Sequence, residues 1–498
     1  MALPATQLST LLRDVATVPV ESDCLVTQLT QDSRAVEKGG LFVALSGVQV
    51  HGLDYAKQAM QQGASAIIAE INDDKPLPAL EIPVIGVPDL REKLGMIADR
   101  FYQSPSQKLN VVGITGTDGK TSVSHFIAQA IKNSAVIGTI GIGAIDNLQQ
   151  ATHTTPDVIN VHKTLAEMVQ QGVETVAMEV SSHALDQGRV DGVAFNVAIL
   201  TNLSRDHLDY HNTLQAYAAA KAKLFSWPGL DALVINLDDE FGQQIAASFA
   251  PKSVKSGGGV FIGYGIGHKD DYPEGSLIAQ NVQLTQQGLS ADINYAGQSG
   301  KLEAAVLGRF NLSNLLASLG SLLALGYSLG DALAQLNQVH TVSGRMEKVP
   351  GASFLTVVDY AHTPNALETV LSALREHTSN KLICVFGCGG DRDSGKRPLM
   401  AAVAEQQADV VIVTDDNPRT ENPQKIMQDI VSGFSNPAAV IIEHDRAKAI
   451  KIALQQAGQG DAVLIAGKGH ENVQILASGS KSFSDREQAS KVLQELAA

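Results

Sequence analysis

The stretch Leu109-Asn-Val-Val-Gly-Ile-Thr-Gly-Thr-Asp-Gly-Lys-Thr-Ser122 decides how this chain is read. Val111 to Ile114 is a short apolar run of the kind that forms a buried strand. Gly113, Gly116 and Gly119 punctuate the turn behind it, Lys120 and Thr121 follow, and the pattern predicts a helix from Ser122 to Lys132. Strand, glycine turn, Lys-Thr and helix together make a phosphate cradle. Glycines let backbone N–H groups come close, a lysine neutralises β/γ-phosphate charge, and a hydroxyl reaches Mg²⁺. The expectation is a nucleoside triphosphate held near Lys120 and Thr121; the alternative is an ordinary glycine-rich turn. The spacing departs from the commonest phosphate loop, which places a glycine where this chain has Ile114.

Working outward, 498 residues suffice for two to four domains with their own cores. Lys+Arg number 37 and Asp+Glu 52, a formal charge of −15, which disfavours a nucleic-acid binder. Hydrophobic content of 44% and mean hydropathy of +0.03 fit a globular enzyme. No apolar run reaches the roughly 18 residues of a spanning helix. The start Met1-Ala-Leu-Pro-Ala-Thr-Gln7 lacks a signal-peptide pattern, so a cytoplasmic location is expected. Cys24, Cys384 and Cys388 make no disulfide framework, and the last two are read as buried structural thiols.

Residues 1 to about 107 read as a small α/β unit, with strands at Leu41–Leu45 and Ala66–Ala69, a helix at Tyr55–Gln62, and a linker at Ser104–Lys108. From there to about 341, strands at 111–114, 175–180, 197–200 and 233–236 alternate with helical patterns, which argues for a mostly parallel sheet. Residues 255–305 read as an antiparallel addition, and Leu312–Leu325 as an apolar helix. The last unit, 342–498, alternates again, with strands at 355–359, 382–386, 410–414, 440–442 and 462–466. It lacks a G-x-G-x-x-G after its first strand, so no nicotinamide cofactor is assigned.

Polar clusters stand at the ends of these strands. Glu179 ends an apolar strand, where either a Mg²⁺ ligand or a surface carboxylate belongs. Asp206, His207, Asp209 and His211 crowd ligand-capable groups after another strand. Lys221 and Lys223 lie in an alanine-rich helix and read, on composition, as solvated lysines. Four loops in the last unit carry Asp359-Tyr-Ala-His362, Gly387 to Lys396, Asp415-Asp-Asn-Pro-Arg419 and Gly467-Lys-Gly-His-Glu471. A parallel sheet would gather all four on one edge, either as a site or as polar caps. Arg392, Lys396, Arg419 and Lys468 point to an anionic ligand, and Asp416 and Glu471 suit an ammonium, so a zwitterionic amino acid is expected.

Taken in order, Gly-Thr-Asp-Gly-Lys-Thr, the Glu179 strand, Asn202-Leu-Ser-Arg-Asp-His207, the Lys221 helix, Gly308-Arg-Phe-Asn-Leu-Ser-Asn314, Gly344-Arg345, Asp359-Tyr-Ala-His362 and Asp416-Asn-Pro-Arg419 resemble the Mur ligases of peptidoglycan synthesis over nearly the whole chain. The resemblance implies three α/β domains: a UDP-substrate domain over 1–107, a central ATPase domain over 108–341 with a mostly parallel sheet, and a C-terminal dinucleotide-fold-like amino-acid domain over 342–498. It implies ATP-dependent amide formation through an acyl phosphate. Asp416-Asn417-Pro418-Arg419 resembles the members that add meso-diaminopimelate to UDP-N-acetylmuramoyl-L-alanyl-D-glutamate; lysine-adding relatives lack the arginine. Diaminopimelate carries a second carboxylate that Arg419 can hold bidentately.

By the same resemblance, Gly116, Thr117, Asp118, Gly119, Lys120, Thr121, Ser122, Asn311, Arg345, Asp359 and His362 contact ATP. Thr121, Glu179, His207 and Lys221 hold Mg²⁺, Lys221 as a carbamate formed with CO₂, and Lys120, His207 and Lys221 serve catalysis. Ser33, Gln49, Thr154, Thr155, Ser181, Gln187 and Arg189 take the UDP substrate, and Arg392, Asp416 to Arg419, Gly467 and Glu471 the diaminopimelate. Asp118 and Ser122 stand where the family often has Asn and Thr, and His153 where it often has Asn. A monomer without nucleic-acid partners is expected. The alternatives are a lysine-adding ligase, a folylpolyglutamate synthetase-like ligase, which would not need the first domain, and a nucleotide switch or transport ATPase, whose ATP turnover would ignore both UDP substrate and amino acid.

Overall fold

The computed structural model describes residues 5–47, 50–71, 76–151, 153–256 and 259–497. The chain divides into two compact units, one of residues 1–264 with 320–326 and one of 265–319 with 327–498.

Besides a two-stranded ribbon of Thr6–Gln7 with Leu25–Val26, the first unit holds two larger sheets. A four-stranded parallel sheet runs in chain order: β1 (Gln28–Thr30), β2 (Gly40–Ala44), β3 (Ala64–Glu70) and β4 (Val84–Val87). Its two faces bury separate cores. Leu41, Val43, Ala66 and Ile68 pack on one side, and Phe42, Ala44, Ile67 and Ala69 on the other, as the two-residue period of a strand requires. The segment expected as a linker is a 3₁₀ turn, Pro105–Lys108, with Pro105 and Ser106 buried and the Ser106 hydroxyl accepting from the Ala194 N–H.

The second sheet is built on β5 (Asn110–Thr115), which follows that turn. The strands after it are β6 (Ser134–Ile137), β7 (Ile142–Gly143), β8 (Thr175–Glu179), β9 (Val197–Leu200), β10 (Ala232–Asn236) and β11 (Val260–Ile266). In space they run β7-β6-β8-β5-β9-β10-β11, all parallel except the β6–β7 pair. β5 therefore lies between β8 and β9, and its glycine turn opens at the crevice where ligands of open parallel sheets bind. Every residue of β8, β9 and β10 is buried, which is why these strands read as unbroken apolar runs. Helix α1 (Lys120–Ala130) starts two residues earlier than expected, with Gly119 as its left-handed N-cap.

In the second unit, β12 (Leu277–Thr285), β13 (Gly288–Tyr295) and β14 (Gln298–Ala304) form the expected antiparallel meander. The expectation reached too far back: Val260–Ile266 is a parallel strand. The remaining sheet runs β15 (Glu347–Lys348), β16 (Leu355–Asp359), β20 (Ala462–Ala466), β17 (Leu382–Phe386), β18 (Val410–Val413), β19 (Ile441–Ile442), parallel but for β15. A hairpin, β21 (Val473–Leu476) with β22 (Gly479–Ser482), follows. Cys384 and Cys388 are buried in one face of this sheet's core. Among the described residues no helix is long and apolar enough to cross a membrane.

Candidate active site

In the first unit the glycine turn is laced to the end of β9. Thr117 N–H donates to the Asn202 carbonyl at 3.0 Å and Asp118 N–H to Asn202 Oδ1 at 2.9 Å, while Thr201 Oγ1 donates to the Asp118 carbonyl at 2.6 Å. Gly116 sits at φ +152, and a Cβ there would overlap Thr201 Oγ1. Lys120 curls over the turn and donates to the carbonyls of Gly116 and Thr117 at 2.9 and 2.8 Å. Thr117 and Asp118 are thus fixed by Thr201 and Asn202, in a loop the sequence marked out but in which these two residues had no assigned role.

Glu179, at the end of β8, is 1% exposed, which overturns its reading as a surface carboxylate. It accepts from Thr121 Oγ1 at 3.1 Å and from both the backbone N–H and the hydroxyl of Thr139 at 3.0 Å. Thr139 was missed; its only sequence signal is a polar residue between Gly138 and Gly141 just after β6. Thr154 and Thr155 join the same cluster: Thr139 Oγ1 lies 3.0 Å from Thr154 Oγ1, and Thr155 Oγ1 donates to the Glu179 carbonyl at 2.8 Å. Ser181 N–H donates to Thr155 Oγ1 at 3.2 Å, and Arg189 bridges the Thr155 carbonyl and Gln187 Oε1.

Lys221 is where composition misled. It lies on α2 (Leu214–Ala222), 1% exposed, and donates to the Gly116 carbonyl at 2.7 Å. Burial, with the Lys120 charge adding to it, pulls its pKa down to about 6. Its neighbour Lys223 is solvent-facing and pairs with Asp186 at 3.2 Å. His207, in a left-handed conformation, is half exposed; its ring lies 4.9 Å from that of His183 and 6.0 Å from that of Tyr217. His211 is buried against Ser182 Oγ at 2.9 Å.

Among the described residues no group of three or more His, Cys, Asp or Glu side chains is gathered as a metal cage. The buried carboxylate and the Thr121 hydroxyl are nevertheless hard oxygen donors 3.1 Å apart beside a phosphate loop. That fits Mg²⁺, which takes one or two protein oxygens and completes its shell with water and phosphate.

Ser33 lies apart from this cluster. It donates to Gln58 Oε1 at 2.8 Å in a cavity of about 710 Å³ also lined by Asp32, Tyr55, Asp157 and Asn160. None of Thr154, Thr155, Ser181, Gln187 and Arg189 lines that cavity. Gln49 is outside the described residues. His153 is exposed.

In the second unit the four strand-end loops meet as expected, around a cavity of about 250 Å³. Arg392, Asp416, Asn417, Arg419, Gly467 and Glu471 all line it; Pro418 does not. Tyr360, Gly387, Cys388 and Gly389, from the loops expected to gather here but without an assigned role, join them, and Lys396 and His362 complete the rim. Lys468 departs from expectation. It is fully buried, and its ammonium donates to Asn417 Oδ1, Glu471 Oε2 and the Val473 carbonyl at 3.0, 3.0 and 2.7 Å. It is an internal counter-charge, so the cations left to meet a ligand are Arg392, Lys396 and Arg419. Burial acts to raise the Glu471 pKa, but the bonds from Lys468 and Asn417 win and hold it below the usual range. Burial raises that of Asp416.

Arg419 has φ +55; its N–H is tied to the Ile475 carbonyl of β21 and its guanidinium to the Gly390 carbonyl at 2.9 Å. Asp359 is buried and caps the loop before β15 and its own turn, accepting the N–H groups of Met346 and Ala361 at 2.7 Å. The Arg345 guanidinium stacks 5.1 Å over Tyr360, and His362 Nδ1 lies 2.8 Å from the Tyr360 carbonyl. The buried Asn311 amide donates to the Leu307 carbonyl at 2.8 Å and accepts from Asn314 Nδ2 at 3.0 Å.

Known proteins share these sequences and this architecture. Residues 25–102 match the pattern described as "Mur ligase family, catalytic domain", residues 114–322 "Mur ligase middle domain", and residues 344–469 "Mur ligase, glutamate ligase domain". The UDP-N-acetylmuramoyl-L-alanyl-D-glutamate–2,6-diaminopimelate ligase of Coxiella burnetii is 46% identical over 487 residues, 97% of this chain and 98% of that protein. The protein of the same name from Pseudomonas aeruginosa is 47% identical over 478 residues, covering 95% and 96%. A solved structure under that name superposes with a TM-score of 0.78 at 34% identity, over 99% of this chain and 100% of the other.

Proposed function

The chain belongs to the Mur ligase family, and from that premise we propose that it joins meso-2,6-diaminopimelate to UDP-N-acetylmuramoyl-L-alanyl-D-glutamate, driven by ATP. The carrying observation is the cavity at the strand ends of the second unit, where Arg392 and Arg419 stand with Asp416, Asn417 and Glu471. A ligand with two carboxylates and two ammonium groups satisfies both signs of charge; lysine would leave one arginine unmatched in a site built to pair it.

In this reading residues 108–341 carry the phosphate end of the nucleotide site. The γ-phosphoryl group passes to the D-glutamate γ-carboxylate, the amine of diaminopimelate attacks the acyl phosphate, and the tetrahedral adduct expels phosphate to leave the amide. Gly116 to Ser122 seat the phosphates, with Lys120 leaving its two carbonyl partners to meet the moving charge. Asn311, Arg345, Asp359 and His362 serve the rest of ATP. Thr121 and Glu179, with His207 and a carbamate on Lys221, would hold Mg²⁺, which neutralises phosphate charge when bound. The carbamate reading is supported by burial and by a pKa near 6, which leaves the amine neutral at pH 7 and able to add CO₂ with loss of a proton. Residues 1–107 take the UDP moiety at Ser33 and Gln49, and Thr154, Thr155, Ser181, Gln187 and Arg189 take the rest of that substrate. Residues 342–498 take the amino acid. The protein works as a cytoplasmic monomer.

Phosphate release assayed with UDP-muramoyl dipeptide and each candidate amino acid tests the proposal. Turnover with meso-diaminopimelate and little with L-lysine is expected; faster turnover with lysine, or turnover indifferent to both substrates, overturns it.

A further inference from the structure

Two loops carry the cavity's arginines, and neither is held by the sheet alone. The loop after β17 bears Arg392, which among the described residues makes no hydrogen bond or ion pair, and the loop after β18 bears Arg419. They are stitched together: Gly390 N–H donates to the Asn417 carbonyl at 2.9 Å, and the Arg419 guanidinium donates to the Gly390 carbonyl at 2.9 Å. A Cβ on Gly390 would overlap the Pro418 carbonyl, so the approach is as close as backbone allows.

Behind this seam lies Arg397, on α3 (Lys396–Gln407), with a fully buried side chain. Its guanidinium grips Glu421 bidentately at 2.8 and 2.7 Å, reaches Asp429 at 2.8 Å and donates to the Gly389 carbonyl at 3.2 Å. Glu421 in turn accepts the Asp391 N–H at 3.1 Å. The Asp391 carboxylate, on a left-handed residue (φ +53), takes the N–H and hydroxyl of Thr420 at about 3 Å. One cation thus ties the first loop, through Gly389 and Asp391, to the second, through Thr420 and Glu421.

We propose that Arg397 is a positioning residue for amino-acid recognition, the anchor of a latch through Glu421 and Asp391 that fixes the distance between Arg392 and Arg419. Recognition of the substrate's carboxylates by two planar forks depends on that distance. The latch's hydrogen bonds run among residues 389–429, in the two loops that line the cavity and the helices beside them, so its loss is felt in amino-acid affinity. The inference rests on the proposed diaminopimelate site.

The test uses two variants of the full chain. Arg397→Lys keeps the charge but loses the fork; Asp391→Ala cuts the exposed end of the latch and leaves the buried guanidinium in place. Both are expected to raise KM for meso-diaminopimelate about tenfold or more, while KM for ATP and for UDP-muramoyl dipeptide stays within about twofold. In ligand-free protein, amide exchange at residues 389–391 and 417–421 is expected to accelerate. Folded variants with unchanged exchange and unchanged KM for diaminopimelate overturn the proposal, as does a uniform change in all three KM values. If the unmodified protein prefers lysine, the substrate reading fails instead, and the exchange measurement alone decides the latch.

Discussion

Lys221 shows what a residue gains from where the chain puts it. In an alanine-rich helix it looks like any solvated lysine; in the fold it is sealed beneath the phosphate loop, 2.7 Å from the Gly116 carbonyl. Its folded pKa near 6 lies below the ordinary 10.5, so between those values the unfolded chain binds more protons than the folded one. Stability therefore rises with pH through that window and is lost as pH falls toward 6, with a limiting slope of about 1.4 kcal/mol per pH unit. Denaturant unfolding at pH 7, 8 and 9 in CO₂-depleted buffer should show the slope in the parent and a flatter profile in Lys221→Met; parallel profiles would refute it. Lys221→Ala is expected to lose turnover and regain part of it with an added short-chain carboxylic acid, and full activity without the supplement would remove the carbamate. Arg419 makes a second prediction at this scale. Arg419→Lys retains charge but not the fork, and should raise KM for meso-diaminopimelate by about ten- to a hundredfold, or 1.4–2.8 kcal/mol, and narrow its preference over lysine. Steady-state kinetics with both amino acids checks this, and unchanged preference would relieve Arg419 of the specificity role.

At the scale of elements, the strands that position the site were the most legible part of the sequence. Residues 197–200, 355–359, 382–386 and 462–466 form strands with the bounds expected, because a parallel strand covered on both faces is written as an unbroken apolar run. The strand-end placement of Glu179, Asp359, Asp416 and Gly467 followed from the same logic. What stayed hidden were pairings between distant segments. Lys468 and Asn417 are 51 positions apart, and nothing local announces that one neutralises the surroundings of the other. Thr139 reaches Glu179 across 40 positions. Composition likewise cannot tell the buried Lys221 from the exposed Lys223, since a helix turns two residues apart to different faces. The junction of β5 and α1 yields the element-scale prediction. Gly116→Ala places a Cβ onto Thr201 Oγ1 at φ +152, and should cost about 1–3 kcal/mol of stability and most nucleotide binding. Adding Thr201→Ala should return part of the stability, since it removes the clash while the backbone strain remains; no recovery would locate the cost elsewhere.

For the whole molecule, the proposed phosphate site and the proposed amino-acid cavity draw on different stretches of chain. Lys120, Thr121 and Glu179 belong to the first compact unit, and the cavity with Arg419 to the second. Ligand linkage can separate the two. A ligand at 100 times its Kd stabilises the folded state by about 2.7 kcal/mol, which for domains of this size moves a thermal midpoint by several degrees. Lys120→Ala should abolish the upward shift produced by a non-hydrolysable ATP analogue with Mg²⁺, because the phosphate charge loses its fixed counter-cation. Arg419→Ala should keep that shift undiminished, because among the described residues Arg419 bonds to Gly390, to Asn417 and to the hairpin carbonyl of Ile475. Differential scanning calorimetry of the parent and both variants, with and without the analogue, reads this directly. If Arg419→Ala lost the nucleotide shift as fully as Lys120→Ala, nucleotide binding would need the amino-acid cavity intact, and the separation of phosphate site from amino-acid cavity would fall.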